Sequence, residues 1–200
     1  MSKPSIKIKL SFSWIIMLIA LFLTHSYISI AALIAAALHE LGHIIAAKLC
    51  DIPLGELRLS IFGAAITPKA LLCSYKKEII LCMSGPLVNL ACAFLLFPFA
   101  NVAKNEFLSF FISSSLFLGV LNLLPIHEFD GGRILFCLLS TKLTLKHTIQ
   151  ILKSVSFVLI FSLWCLSVYL LLRLSSSLSL FVFSLFLFAK IFISQKENPY

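Results

Sequence analysis

His39-Glu40-Leu41-Gly42-His43 places two imidazoles four residues apart with a carboxylate beside them. On a helix, residues i and i+4 lie on one face, about one turn apart. His39 and His43 can therefore grip one metal ion, and Glu40 can handle a proton next to it. The surrounding run, Tyr27 to Leu49, is otherwise almost wholly apolar. Acids and histidines are costly at membrane depth and mark functional sites there. The structural alternative is a pair of core histidines bonded to backbone or to Glu40. Burial without a strong partner costs several kcal/mol, which argues against it. The whole chain has eight acidic residues and five histidines, and three of these fall within this one cluster.

A catalytic zinc takes three protein ligands and keeps one position open, so the pair needs a third donor. The segment Leu121-Asn122-Leu123-Leu124-Pro125-Ile126-His127-Glu128-Phe129-Asp130-Gly131-Gly132-Arg133 is the best source. Pro125 should break a helix there, and Gly131-Gly132 permits tight backbone geometry just past Asp130. Irregular backbone at membrane depth is tolerated where it lines a cavity. Asp130 is the leading candidate, with Glu128 and His127 as rivals. Asn122 on the same element could hydrogen-bond a carbonyl or a developing oxyanion. Its plainer role is interhelical glue, worth about 0.6 kcal/mol on average. Ser84-Gly85-Pro86 with Asn89 interrupts another apolar run. It reads either as a kink or as a packing point that lets that run approach the histidine-bearing helix.

These residues must be positioned by membrane-spanning helices. The chain has 200 residues, 60% hydrophobic and 12% charged, with mean hydropathy +1.07. Soluble domains carry about 25% charged residues, so this is an integral membrane protein forming a single domain over 1–200. Spans need about 20 mostly apolar residues. Six are expected, over Leu10–Leu23, Tyr27–Leu49, Glu78–Phe99, Phe107–Leu124, Ser154–Leu172 and Leu178–Ile193. The first, preceded by Lys3, Lys7 and Lys9, resembles a signal peptide without a cleavage site and is read as retained. With the N-terminus cytosolic, every basic residue except Lys104 and Arg173 falls on the inner side, which satisfies the positive-inside rule. That orientation puts His39 and His43 towards the cytosol. The net charge of +8 then reflects topology and anionic lipid rather than nucleic acid. Leu57-Arg58-Leu59-Ser60-Ile61 alternates, and Gly63 and Thr67-Pro68 supply turn signals, so a small β-hairpin is expected at the cytosolic membrane surface. The six cysteines are scattered without a CxxC pair, so neither a disulfide framework nor Cys-ligated zinc is expected. The fold class is thus an all-α membrane protein of about six helices with one small hairpin.

Taken together, HELGH at His39 to His43, SGP with Asn89, and NLLP…DGGR from Asn122 to Arg133 resemble the site-2 protease family of intramembrane zinc metalloproteases. The resemblance covers about residues 27 to 133. It implies a site-2 protease-like core there, one Zn2+ held by His39, His43 and Asp130, Glu40 as general base and acid, and Asn122 in holding substrate. One span before the HExxH helix is similar to the branch that processes sporulation sigma-factor precursors, which cuts near the cytosolic face. The partners implied are a membrane-associated protein substrate, the lipid bilayer of a bacterial-type cell membrane and an inhibitory membrane protein. A PDZ domain has no room in this chain. No C-terminal extension suited to a nucleotide-sensing CBS domain follows the last run, so ATP control through one is not expected. The family often has proline and leucine where His127-Glu128-Phe129 stand. A metal transporter using buried His and Asp is the competing function, since it too would place such ligands at depth. An inactive protease-like binding protein is a third.

Overall fold

Twenty-three residues without proline, rich in Ala, Ile and Leu, make Tyr27–Leu49 a continuous helix, α1. Its end is specified locally. Asp51 adopts a left-handed backbone (φ 50°), the Ile52 N–H donates to the Ala47 carbonyl (2.9 Å) and the Asp51 N–H points to the Lys48 carbonyl (3.4 Å). This is the bond pattern of a Schellman stop, with Asp51 in the position usually held by glycine. Ile52 then packs against Ala46, Ala47 and Leu81, fixing the helix end a few residues beyond His43.

These features belong to a computed structural model, which describes residues 7–10, 27–52, 54–60, 63–68, 74–103, 105–174 and 181–189. The chain groups into two compact units, residues 1–123 and 124–200.

In the first unit, α2 (Tyr75–Ala103) and α3 (Glu106–Leu123) pack against α1 and against each other. Ala31 and Ala35 of α1 meet Ala93 of α2 and Phe111 and Ile112 of α3 in a buried cluster. Small residues at such crossings let backbones approach closely, the source of packing energy where lipid replaces water. The outward surface is apolar: Phe94 is 74% and Leu95 72% exposed. Pro86 and Pro98 lie inside α2 without ending it, a tolerance expected of membrane helices. Three strands complete this unit: β1 (Lys7–Leu10), β2 (Leu54–Ser60) and β3 (Gly63–Pro68). β2 and β3 pair antiparallel, with Leu57 opposite Ile66. β1 lies parallel to β2, with Lys7 opposite Glu56, a strand that the sequence pattern did not announce.

In the second unit, α3's successor is a short connection in which Pro125 follows two residues after Leu123. It folds on itself through Ile126 N–H to Leu124 carbonyl (2.7 Å) and Phe129 N–H to Ile126 carbonyl (2.9 Å). The His127 N–H donates to Ser156 Oγ (2.9 Å). α4 (Asp130–Ser140) and α5 (Leu145–Leu174) follow, with a further helix, α6, over 181–189. Ile126, Ile160 and Leu187 form the core, and Ser167 Oγ meets Ser184 Oγ at 3.1 Å between α5 and α6. α4 was not expected. Its apolar residues are too few for a span, and the segment reads as loop until Gly131 and Gly132 are placed inside a helix.

Among the described residues four helices are long and apolar enough to cross a membrane: Tyr27–Leu49, Tyr75–Ala100, Glu106–Leu123 and Leu145–Arg173. The expected first span lies outside the described residues except Leu10, which ends β1. Of the expected sixth, only 181–189 is described.

Candidate metal centre

His39 and His43 come to one face of α1 as their spacing requires, and both are buried, with only 5% of each exposed. Their rings stand edge to face, 82° apart with centroids 4.8 Å apart. The two Nε2 atoms face each other at 3.1 Å. Two nitrogens held at 2.0–2.1 Å from one tetrahedral ion lie roughly 3.3 Å apart. The pair is therefore already close to a shared-ligand geometry.

α2 arranges these rings with three residues on one stripe. Leu81, Gly85 and Asn89 are four residues apart, so they line one face of α2. The His43 Nδ1–H donates to the Leu81 carbonyl (2.8 Å). A ring protonated at Nδ1 has its lone pair on Nε2, the tautomer of a metal ligand. Ser84 Oγ donates to the same carbonyl (2.6 Å). At the other end of the stripe the Asn89 amide lies 3.4 Å from His39 Nδ1. Between them, Gly85 presents no side chain. A Cβ there would stand 2.9 Å from His39 Nε2 and overlap His43 Nε2. The space next to both Nε2 atoms exists because residue 85 is glycine.

The close approach depends on a second glycine. A Cβ on Gly42 would stand 2.8 Å from the Ser84 carbonyl oxygen and 3.1 Å from Gly85 Cα. Those are backbone atoms that cannot swing aside. At the Gly42–Gly85 crossing the backbones of α1 and α2 thus come too close for a side chain on Gly42, a close helix approach that small residues permit.

Glu40 follows His39 on α1 and is half-buried. Asp130 is half-buried and occupies the first turn of α4, where unsatisfied N–H groups favour a carboxylate. Gly132 is required just behind it, since a Cβ there would overlap the Ile126 carbonyl. His39 and His43 each offer one buried ligand atom on the same face of α1, while Asp130 belongs to the second unit. The other two sequence candidates differ from it in setting. The His127 side chain is 54% exposed, with Nδ1 3.7 Å from Glu128 Oε1. Asn122 donates its amide N–H to the Leu118 carbonyl of its own helix (3.0 Å).

Sequence reasoning noticed SGP and Asn89 but not their arrangement. The signal was present: Leu81, Gly85 and Asn89 repeat the four-residue spacing of His39 and His43.

Residues 27–105 and 98–163 match Peptidase family M50. With that match over more than half of the sequence, the chain belongs to peptidase family M50, a family of metallopeptidases. The chain is 28% identical over 197 residues to Stage IV sporulation protein FB of Bacillus subtilis (strain 168), covering 94% of this chain. It spans 66% of the length of that relative. Among solved structures, the site-2 protease from Methanocaldococcus jannaschii superposes with a TM-score of 0.66 at 24% identity, covering 96% of this chain and 91% of that one. That likeness shows the fold. The family and the apolar helices together make this a multi-pass membrane protein.

Proposed function

We propose that this chain is an intramembrane zinc metalloendopeptidase, with His39, His43 and Asp130 as zinc ligands and Glu40 as general base and acid. The observation that carries the reading is the buried imidazole pair on α1, its Nε2 atoms 3.1 Å apart beside the Gly85 cradle. Two nitrogens and one carboxylate are a donor set of catalytic zinc sites, which keep a fourth position for substrate or water. When bound, zinc supplies Lewis-acid chemistry, acidifying water and polarising a carbonyl.

The chain's own residues do the rest. Glu40, adjacent to His39, takes a proton from the attacking water and returns it to the leaving nitrogen. The carbon–oxygen bond forms first and the carbon–nitrogen bond breaks second, so one proton passes from water through Glu40 to the leaving nitrogen. Asn122 helps hold the substrate carbonyl region. Buried surroundings strengthen each of these electrostatic contacts relative to water.

A substrate helix hides its carbonyls in its own hydrogen bonds and must unwind to be cut. Pairing with the β2–β3 hairpin as an added strand would hold the unwound segment by backbone bonds. The N-terminus is cytosolic, the bilayer is that of a bacterial-type cell, and the scissile bond lies near the cytosolic face. The substrate is a membrane-associated protein, a sigma-factor precursor being the leading class. The relative's name, which refers to sporulation, supports that choice. Cleavage is restrained by an inhibitory membrane partner.

The test is Glu40→Gln co-expressed with membrane-tethered transcription-factor precursors, read by fragment size. Wild type should yield a shortened product and Glu40→Gln none. A product from Glu40→Gln equal to wild type would refute the mechanism.

A further inference from the structure

Asn89 is fully buried, with 0% exposure, on a helix face otherwise committed to the histidine pair. Its terminal Nδ2 lies 3.4 Å from His39 Nδ1, while its Oδ1 accepts no hydrogen bond among the described residues. A buried amide oxygen without a donor is costly.

The two ends of a side-chain amide are assigned by hydrogen-bond logic, because oxygen and nitrogen are interchangeable in shape. A metal-ligating histidine uses one ring nitrogen as ligand and donates the N–H of the other to an acceptor. For His39 to ligate through Nε2, Nδ1 must carry a proton, and that proton needs an oxygen. Turning the Asn89 amide by half a turn places Oδ1 at the required position. Oδ1 then accepts from His39, Nδ2 takes the position that Oδ1 held, and His39 takes the same tautomer that the Leu81 carbonyl enforces on His43.

We infer that Asn89 is a positioning residue of the metal centre, its amide oxygen accepting the His39 Nδ1–H and holding Nε2 towards the metal. It rests on the zinc reading above and goes beyond it. α2 in this account supplies one acceptor to each histidine: a main-chain carbonyl to His43 and a side-chain amide to His39. Only the second can be removed by mutation without altering the backbone.

The experiment measures zinc affinity of the full-length protein in detergent by competition with a chelating dye, for wild type, Asn89→Leu and Asn89→Asp. Leu has similar volume and no acceptor; Asp keeps an acceptor oxygen. Asn89→Leu should bind zinc roughly 10- to 100-fold more weakly, the usual effect of losing such a partner, and Asn89→Asp should recover most of that loss. Melting of each variant in excess chelator reports folding separately. The d–d spectrum of the cobalt-loaded protein should shift in Asn89→Leu and return in Asn89→Asp. Wild-type zinc affinity in Asn89→Leu would overturn the positioning role and leave the zinc reading standing. Equal weakness in both variants, with unchanged melting in chelator, would also overturn it. Failure of the wild type to bind zinc would overturn the zinc reading and the inference with it.

Discussion

Gly85→Ala asks whether the glycine cradle is the space a metal needs. The added Cβ would stand 2.9 Å from His39 Nε2 and 2.7 Å from His43 Cε1, and would overlap His43 Nε2. Carbon contacts are comfortable only at about 3.5–4.0 Å, so something must move by several tenths of an ångström or more. One route rotates His43 and breaks its 2.8 Å bond to the Leu81 carbonyl, at about 1 kcal/mol net. The other pushes α2 away from α1, an overpacking cost of roughly 1–3 kcal/mol. Either route costs about 1–3 kcal/mol, or roughly 5- to 140-fold in metal affinity at 1.4 kcal/mol per tenfold. The assay is dye competition for zinc on purified protein, with melting in chelator to separate folding from binding. Peptidase activity should fall with metal loading and return in part at high zinc. Wild-type zinc affinity in Gly85→Ala would show that the cradle is not where metal binds.

Further predictions concern the elements that hold the centre. Gly42→Ala faces backbone atoms of Ser84 and Gly85 and should destabilise the helix pair by about 1–3 kcal/mol, seen as a lower melting temperature with metal absent as well as present. Asp51→Gly should stabilise by up to about 1 kcal/mol, because glycine carries no left-handed penalty at a helix stop; thermal melts against Asp51→Ala check it. Ser156→Ala removes the acceptor of the His127 N–H and should cost roughly 1–3 kcal/mol, with hydrogen exchange rising in the segment before Asp130. Unchanged exchange there would show that Ser156 does not anchor that segment.

The chemistry of the site was more legible than its scaffold. HELGH announced itself because polar groups are rare in so apolar a chain and because i, i+4 spacing leaves little freedom in where two side chains point. Pro125 and Gly132 were legible for the same reason: backbone chemistry at those residues restricts the fold locally. α4 was not, since eleven residues beginning DGG carry helix-breaking composition and form a helix only once the preceding loop covers its first turn. β1 was hidden because Lys7–Leu10 runs directly into an apolar stretch and gains strand character only by pairing with β2. Asn89 and Gly85 were visible as residues but not as partners of the histidines. A sequence gives spacing along each helix, whereas the register between α1 and α2 is set by the Gly42 crossing.

The central claim is that His39, His43 and Asp130 hold one zinc and that Glu40 acts beside it without holding it. The most direct measurement is zinc content per chain in purified wild type, Glu40→Gln, His43→Ala and Asp130→Ala. Wild type and Glu40→Gln should carry about one zinc each, as expected of a single three-ligand site, while His43→Ala and Asp130→Ala lose most of it. Zinc retained by His43→Ala and Asp130→Ala, or absent from wild type, would contradict the account.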